Sequence, residues 1–409
     1  MPGPRRSAVS PMDPVDDGAG DSLWDRALEQ AVRDFGGWLN AHTHLDRANT
    51  FAPEYLHHAN IDPIGAAGLS LPVKQILVGE LHKGLAYRPD NLYWRMRAEL
   101  ERMAAMGTRE VVSFIDATPD IGLVAIEQAA RLRDEFHGRL AFKIAVSPIF
   151  GFKNPRANPD RWDTYRRAAE IADVLGGLPS KDRAEGRVGF DGHVRLLLEL
   201  GKALRKPVHL QVDQDNDPRE EETEQLVQAV RWLGAPEVPG ADGPTVWAVH
   251  AISPSCYDEE RFQRLVDNLV RYNVGVICCP TAALSMFQQR PILAPIHNSI
   301  ARLLEMMAAG VTVRIGTDNI CDIFIPNGDG SVRSEVWVAA TALRFYHTTI
   351  WAKVGAGLPL NEGDKEWIRQ ALQRARDTWA AVHADLARTG ADGARPAQPG
   401  DADRHLALR

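Results

Sequence analysis

Gly37–Trp38–Leu39–Asn40–Ala41–His42–Thr43–His44 is a short apolar run that ends in two histidines spaced by one residue. An extended segment of this kind reads as a strand, and residues two apart on a strand point the same way. The two imidazoles therefore leave the strand end together. Further along, short apolar runs alternate with longer amphipathic patterns. Strands are predicted at Gly37–Ala41, Glu110–Ile115, Leu140–Val146, Val174–Gly176, Pro207–Val212, Val246–Val249, Val274–Cys278 and Val311–Gly316. Helical patterns fall between them at Leu92–Met106, Ile121–Phe136, Gly192–Leu204, Arg219–Leu233, Asp258–Tyr272 and Ala294–Ala309. Eight strands each followed by a helix predict an α/β chain folded as a (β/α)8 TIM-type barrel. The alternative is an open doubly wound sheet, which usually places a glycine-rich phosphate loop after its first strand. Here Asn40–Ala41–His42–Thr43–His44 stands in that place, which favours the barrel.

The remaining composition narrows the classes. The chain has 409 residues, 44% hydrophobic and 25% charged, ordinary values for a globular protein. A formal net charge of −7 argues against a nucleic-acid or polybasic membrane partner. No run approaches the roughly 18 apolar residues of a spanning helix. The N-terminus lacks the apolar segment of a secretory signal. The four cysteines, Cys256, Cys278, Cys279 and Cys321, form no paired motif, so a reduced, cytoplasmic protein is expected. Residues 1–22 and 388–409 read as disordered tails around a barrel spanning 23–387. A long excursion, 47–89, follows the first strand and carries Pro53, Pro63, Pro72 and Pro89. Excursions at that end of a barrel commonly build pockets or lids. A small-molecule substrate is the expected partner, with homo-oligomerisation left open by the sequence.

Barrel enzymes carry their chemistry at the C-terminal ends of the strands. Reading those ends in order gives His42 and His44, then His209, His250 and Asp318. Any single histidine of the 13 in the chain reads equally well as a packed core residue. Their occurrence at successive strand ends is far more specific. Imidazoles with a carboxylate suit one divalent ion, Zn²⁺ first, with Fe²⁺ or Mn²⁺ as alternatives. Histidines away from strand ends, His82 among them, are read as surface or packing residues.

On these residues the chain resembles the amidohydrolase superfamily, and within it the cytosine deaminase-like branch with a single metal. The stretches that carry the resemblance are Asn40–Asp46, Ile171–Pro179, Val208–Asp213, Val249–Ala251 and Gly316–Pro326, spread over residues 37 to 350. The resemblance implies that His42, His44, His209 and Asp318 hold the ion and that His250 faces the reacting water. It implies hydrolysis of a C–N bond, by deamination or by amide or amidine cleavage, in a small nitrogen-heterocyclic substrate. Asp318 is then the general base. Either Asp318 or Asp213 returns the proton to the leaving nitrogen. Asp46, Gln211, Asn319 and Asp322 are candidate substrate contacts.

Departures from that branch matter equally. Val212 occupies the place of its proton-shuttling glutamate, Ser147–Gly151 lacks its recognition glutamine, and Asn319 replaces an acid. These changes point to a substrate other than cytosine. Strand four offers Lys181 only beyond its end, so no bridging lysine for a second ion is expected. The β-sandwich that often flanks such barrels is expected to be absent or vestigial. Two rival readings stand beside this one. One is a barrel that binds a ligand without turning it over; the other is hydrolysis of a linear amide or an ester.

Overall fold

The computed structural model describes residues 22–286 and 299–390, with side chains placed as far as residue 384. Eight strands form one sheet in the order β1-β2-β3-β4-β5-β6-β7-β8, every neighbouring pair parallel. They are β1 (Trp38–Thr43), β2 (Thr108–Asp116), β3 (Ala141–Ser147), β4 (Val174–Gly177), β5 (Val208–Val212), β6 (Val246–His250), β7 (Val274–Cys278) and β8 (Val313–Ile315). The sheet rolls up until its edges meet at a bridge between Thr43 and Asp318. The architecture is a (β/α)8 TIM-type barrel. Among the described residues every named strand belongs to this sheet.

Continuous burial along β1, β4, β5, β6 and β7 explains why these strands read as unbroken apolar runs. Helices Pro89–Ala105, Val124–Glu135, Gly189–Leu204, Glu222–Leu233 and Glu259–Arg271 cover the sheet where the sequence periodicity predicted helices. Helix Pro159–Ile171 completes the ring between β3 and β4. Of the predicted helix Ala294–Ala309, the structure shows Leu303–Ala309; residues 294–298 lie outside the described ones. The predicted tails likewise lie outside them, except Ser22 and the last turn of helix Glu362–Gly390.

The four prolines of the 47–89 excursion have a single local explanation. Each sits in the first turn of a helix: Pro53–Leu56, Pro63–Ala67, Leu71–Lys83 and Pro89–Ala105. There the missing N–H costs nothing and the fixed φ is already helical. The excursion is thus a chain of helices rather than an irregular loop.

Inside the barrel, below the histidines, Val112, Phe114, Ala145 and Val174 form a separate apolar cluster. Large aromatic rings fit this narrow space because glycine lies opposite them. A Cβ built on Gly275 would fall 2.4 Å from the Trp247 ring, and one on Gly176 would fall 2.6 Å from Phe114. Overpacking here cannot be relieved by solvent. Gly275→Val is expected to destabilise the protein by about 2–4 kcal/mol in chemical denaturation. Pairing it with Trp247→Leu, which opens the space, should recover part of that loss.

Candidate metal centre and pocket

The bridge that closes the barrel also assembles the site. The Asp318 N–H donates to His42 O (2.9 Å), while the His44 N–H and Thr43 Oγ1 both donate to Asp318 O, at 3.2 and 2.8 Å. Gly316 allows this approach, since a Cβ there would lie 2.7 Å from His42 O. These backbone bonds aim the His42, His44 and Asp318 side chains at one point. One ligand atom from each lies within 4.8 Å of the others.

Their contacts are those of donors awaiting a common acceptor. Asp318 Oδ1 is 3.4 Å from His42 Nε2 and 3.1 Å from His44 Nε2, close enough for charge attraction but misaligned for hydrogen bonds. Both ring nitrogens of His42, His44 and His250 are buried without a hydrogen-bond partner, as are His209 Nδ1 and Asp318 Oδ1. An unsatisfied buried polar atom costs about 1–3 kcal/mol, so such a cluster points to a missing partner shared by all. A divalent cation fits, because it takes neutral imidazoles and carboxylates and repels the proton. Burial, and then the Arg47 charge, hold His44 down at about 3; burial holds His250 at about 4. Burial and the Arg314 charge keep His209 well below its ordinary value. Burial alone would raise Asp318, but its histidine neighbours more than offset this and leave it ionised. Neutral imidazoles around one carboxylate are the donor set a dication requires.

The other strand-end residues take distinct places. His250 lies with its ring centroid 5.5 Å from that of His42, facing the same space. His209 is buried against the Trp247 ring at 6.0 Å and stands outside the tight His42, His44 and Asp318 group. Gln211, on the same face of β5 as His209, lines a pocket with Asp318 and Asn319. Asp318 and His250 have φ of 56° and 78°, a left-handed conformation costly for residues other than glycine.

Three sequence candidates turn away from this pocket. Asp213 is fully buried, and its carboxylate accepts the N–H groups of Glu222 (2.8 Å) and Thr223 (2.9 Å). It receives the first N–H groups of helix Glu222–Leu233 and does not line the pocket, which argues against its reading as a proton donor. Asp46 accepts the Tyr87 hydroxyl (2.9 Å) and the Asp116 N–H (2.8 Å). Asp322 accepts the N–H groups of Phe324 and Ile325 and an Asn319 amide hydrogen. Neither carboxylate lines the pocket, and Asp46 Oδ1 is buried without a hydrogen-bond partner. Val212 is fully buried in the apolar core.

The pocket also holds residues that sequence reading passed over. Arg47, Lys74, Gln75, Ile149, Gln214 and Phe324 line it. Arg47 follows the HxH strand end directly and was legible as a candidate. Lys74 and Gln75 lie in the excursion, where no strand-end rule applies. His82, read as surface or packing, is buried and bridges the excursion to the barrel. Its Nδ1 is 2.7 Å from Asp120 and its Nε2 is 3.4 Å from Asp116.

Comparison with known proteins gives the following. No protein-family model matches the chain. An uncharacterised protein of Haemophilus influenzae is 29% identical over 288 residues, 69% of this chain and 96% of that protein. A pterin deaminase of Rhizobium rhizogenes is 22% identical over 254 residues, 62% of this chain and 54% of that enzyme. The chain thus spans about half the length of the pterin deaminase it matches. Among solved structures, 5-methylcytosine deaminase from Klebsiella pneumoniae superposes with a TM-score of 0.64 at 21% identity, covering 82% of each chain. The N-isopropylammelide isopropylaminohydrolase of Burkholderia multivorans superposes at 0.57 with 21% identity, over 79% of this chain and 76% of that one. The (β/α)8 barrel expected from the sequence is the fold that these solved structures share with the chain.

Two outcomes follow from these contacts. Asp213→Ala should lower stability by about 1–2 kcal/mol in urea unfolding while metal content stays at the wild-type level. For His82, burial would depress the imidazole, but Asp116 and Asp120 more than offset it and raise it to about 9. A raised folded pKa means stability that is full below pH 6.5 and is lost as pH climbs toward 9. Melting temperatures of His82→Gln should accordingly show less decline between pH 6.5 and 9 than those of wild type.

Proposed function

We propose that this protein is a metal-dependent hydrolase of a C–N bond in a small nitrogen-heterocyclic substrate, acting by deamination or by amide or amidine cleavage. The observation that carries this reading is the buried, hydrogen-bond-free set of imidazole nitrogens and carboxylate oxygen at the barrel mouth, opening onto an amide-lined pocket. His42, His44 and Asp318, with His209 beside them, would hold one divalent ion, zinc first. Such an ion is a Lewis acid that brings the pKa of a water molecule near neutrality. That solved deaminases share the fold, and that a pterin deaminase is a sequence relative, supports ring deamination over ester hydrolysis.

The chain's own residues then divide the work. Asp318 takes a proton from water as the oxygen adds to the sp² carbon. His250, with both nitrogens free of other partners, is placed to hydrogen-bond the oxygen that gains charge. The C–N bond breaks as Asp318 hands its proton to the departing nitrogen. Asp213 takes no part, since its oxygens are committed to a helix terminus. Gln211 and Asn319 offer both donors and acceptors to a ring amide edge.

Elemental analysis of purified protein is expected to find about one divalent ion per chain. His42→Ala and Asp318→Ala should lose it, together with ammonia or amine release from responsive amino-heterocycles. His250→Ala should keep the ion and lose at least about 100-fold in kcat. Wild-type protein that takes up no metal after supplementation would overturn the hydrolase reading.

A further inference from the structure

Among the described residues two arginines near the barrel mouth are buried, Arg47 and Arg95, and they differ in a way that bears on the ligand. Arg95, 8% exposed, is saturated: it donates to Asn91 Oδ1 (2.6 Å) and to the carbonyls of Ala48 (2.6 Å), Asp46 (2.8 Å) and Ala86 (2.6 Å). That is the pattern of an arginine used as a structural cross-link. Arg47, 2% exposed, has among the described residues one hydrogen bond, a long 3.4 Å contact from Nη1 to Asp116 Oδ2. Its Nε is buried without a hydrogen bond, and Asp322 Oδ2 stands 3.8 Å away. The guanidinium carbon lies over the Phe324 ring, 5.1 Å from its centroid. It is fixed in place, yet most of its five donors are unused, and it lines the pocket that Asp318 lines.

A second cation faces the same space. Lys74, on helix Leu71–Lys83, is 8% exposed and lines this pocket. Its hydrogen bond among the described residues is a 3.4 Å contact to Phe324 O. The carboxylates that balance Arg47, which are Asp46, Asp116 and Asp322, lie outside the pocket lining. Asp318 is the one acidic residue that lines it among the described residues, and its charge belongs with the proposed metal ion. The pocket wall therefore presents two cationic side chains whose carboxylate partners stand behind the lining, Asp322 acting on both.

We propose that the substrate is an anion, a heterocycle bearing a carboxylate, whose charged group is received by Arg47 and Lys74 while its reacting carbon faces Asp318 and His250. The placement of the reacting carbon rests on the hydrolase reading; the anion site stands on the pocket itself. A planar carboxylate matches the fork geometry of a guanidinium, and a partly desolvated lysine adds charge without fixed direction. Burial lowers the Lys74 pKa, so a bound anion also restores the ammonium to a favourable setting.

The test uses metal-loaded full-length protein and matched ligands that differ by one carboxylate: cytosine against cytosine-5-carboxylate, and pterin against pterin-6-carboxylate. Calorimetry reads binding, and ammonia release is followed in parallel. At least one carboxylated member should bind about tenfold or more tightly than its neutral partner. Lys74→Met and Arg47→Gln should each shrink that ratio several-fold, with KM moving more than kcat where turnover is seen. Arg47→Gln leaves buried carboxylates uncompensated and risks misfolding; Lys74→Met, which keeps the length and apolar stem of the side chain, keeps the test decisive. A carboxylate preference that needs Lys74 but comes with no ammonia release supports the anion site and counts against the hydrolase reading. Ammonia release from the neutral members alone does the reverse. Equal binding within both pairs overturns the anion site. A preference that survives both substitutions overturns it too, because the carboxylate is then bound elsewhere.

Discussion

The pairing of Thr43 with Asp318 is the constraint on which the remaining structure depends. A parallel barrel has no free edge only if its first and last strands meet, and here they meet through three backbone and hydroxyl hydrogen bonds around one aspartate. The same bonds fix His42, His44 and Asp318 relative to one another. Closing the fold and gathering the donors are a single event. A slip of one residue in this register would turn both histidines out of the barrel and into the helical layer.

What the strand ends gain in placement they lose in comfort. His250 and Asp318 both adopt left-handed backbone, and so does Asp213, which follows β5 directly. Each such residue costs on the order of 1 kcal/mol or more and persists only where its surroundings dictate it. At Asp213 the reason is architectural, since the turn brings its carboxylate onto the start of the next helix. At Asp318 and His250 the turn points side chains into the mouth instead of along the strand. Unsatisfied nitrogens on the histidines add to the local cost, which a bound cation would remove.

Around it lies a network of buried charge that the catalytic groups do not touch. Asp46, Asp116, Tyr87 and His82, all buried, run from the end of β1 to the excursion helix and out to the exposed Asp120 through polar contacts of 2.7 to 3.4 Å. Burial and Asp116 push the Asp46 carboxyl up to about 6, so the network tolerates its charges only narrowly. Such groups persist in low dielectric because each has a partner of opposite sign or a donor aimed at it. The network fixes helix Leu71–Lys83 over the mouth, and that helix in turn supplies Lys74 and Gln75 to the pocket.

The sequence by itself determined the barrel. Eight buried apolar runs separated by amphipathic helices leave little choice, because parallel strands hidden on both faces need helical cover. It also determined the identity of the strand-end donors, since period-two geometry puts His42 and His44 on one face whatever the rest of the chain does. The tertiary structure decided everything that depends on where a side chain goes after leaving its strand. Asp213, Asp46 and Asp322 look like site residues in the sequence because they are acidic and close to strand ends. In the structure Asp213 and Asp322 are engaged by backbone or side-chain donors, and Asp46 by its Oδ2, and none of the three lines the pocket. Lys74 carries no signal in the sequence, being one of three charged residues, with Glu80 and Lys83, in a helix 28 residues beyond Asp46. Only the folding of the excursion across the barrel mouth brings it to face the strand ends, and long-range packing of that kind has no local period to betray it.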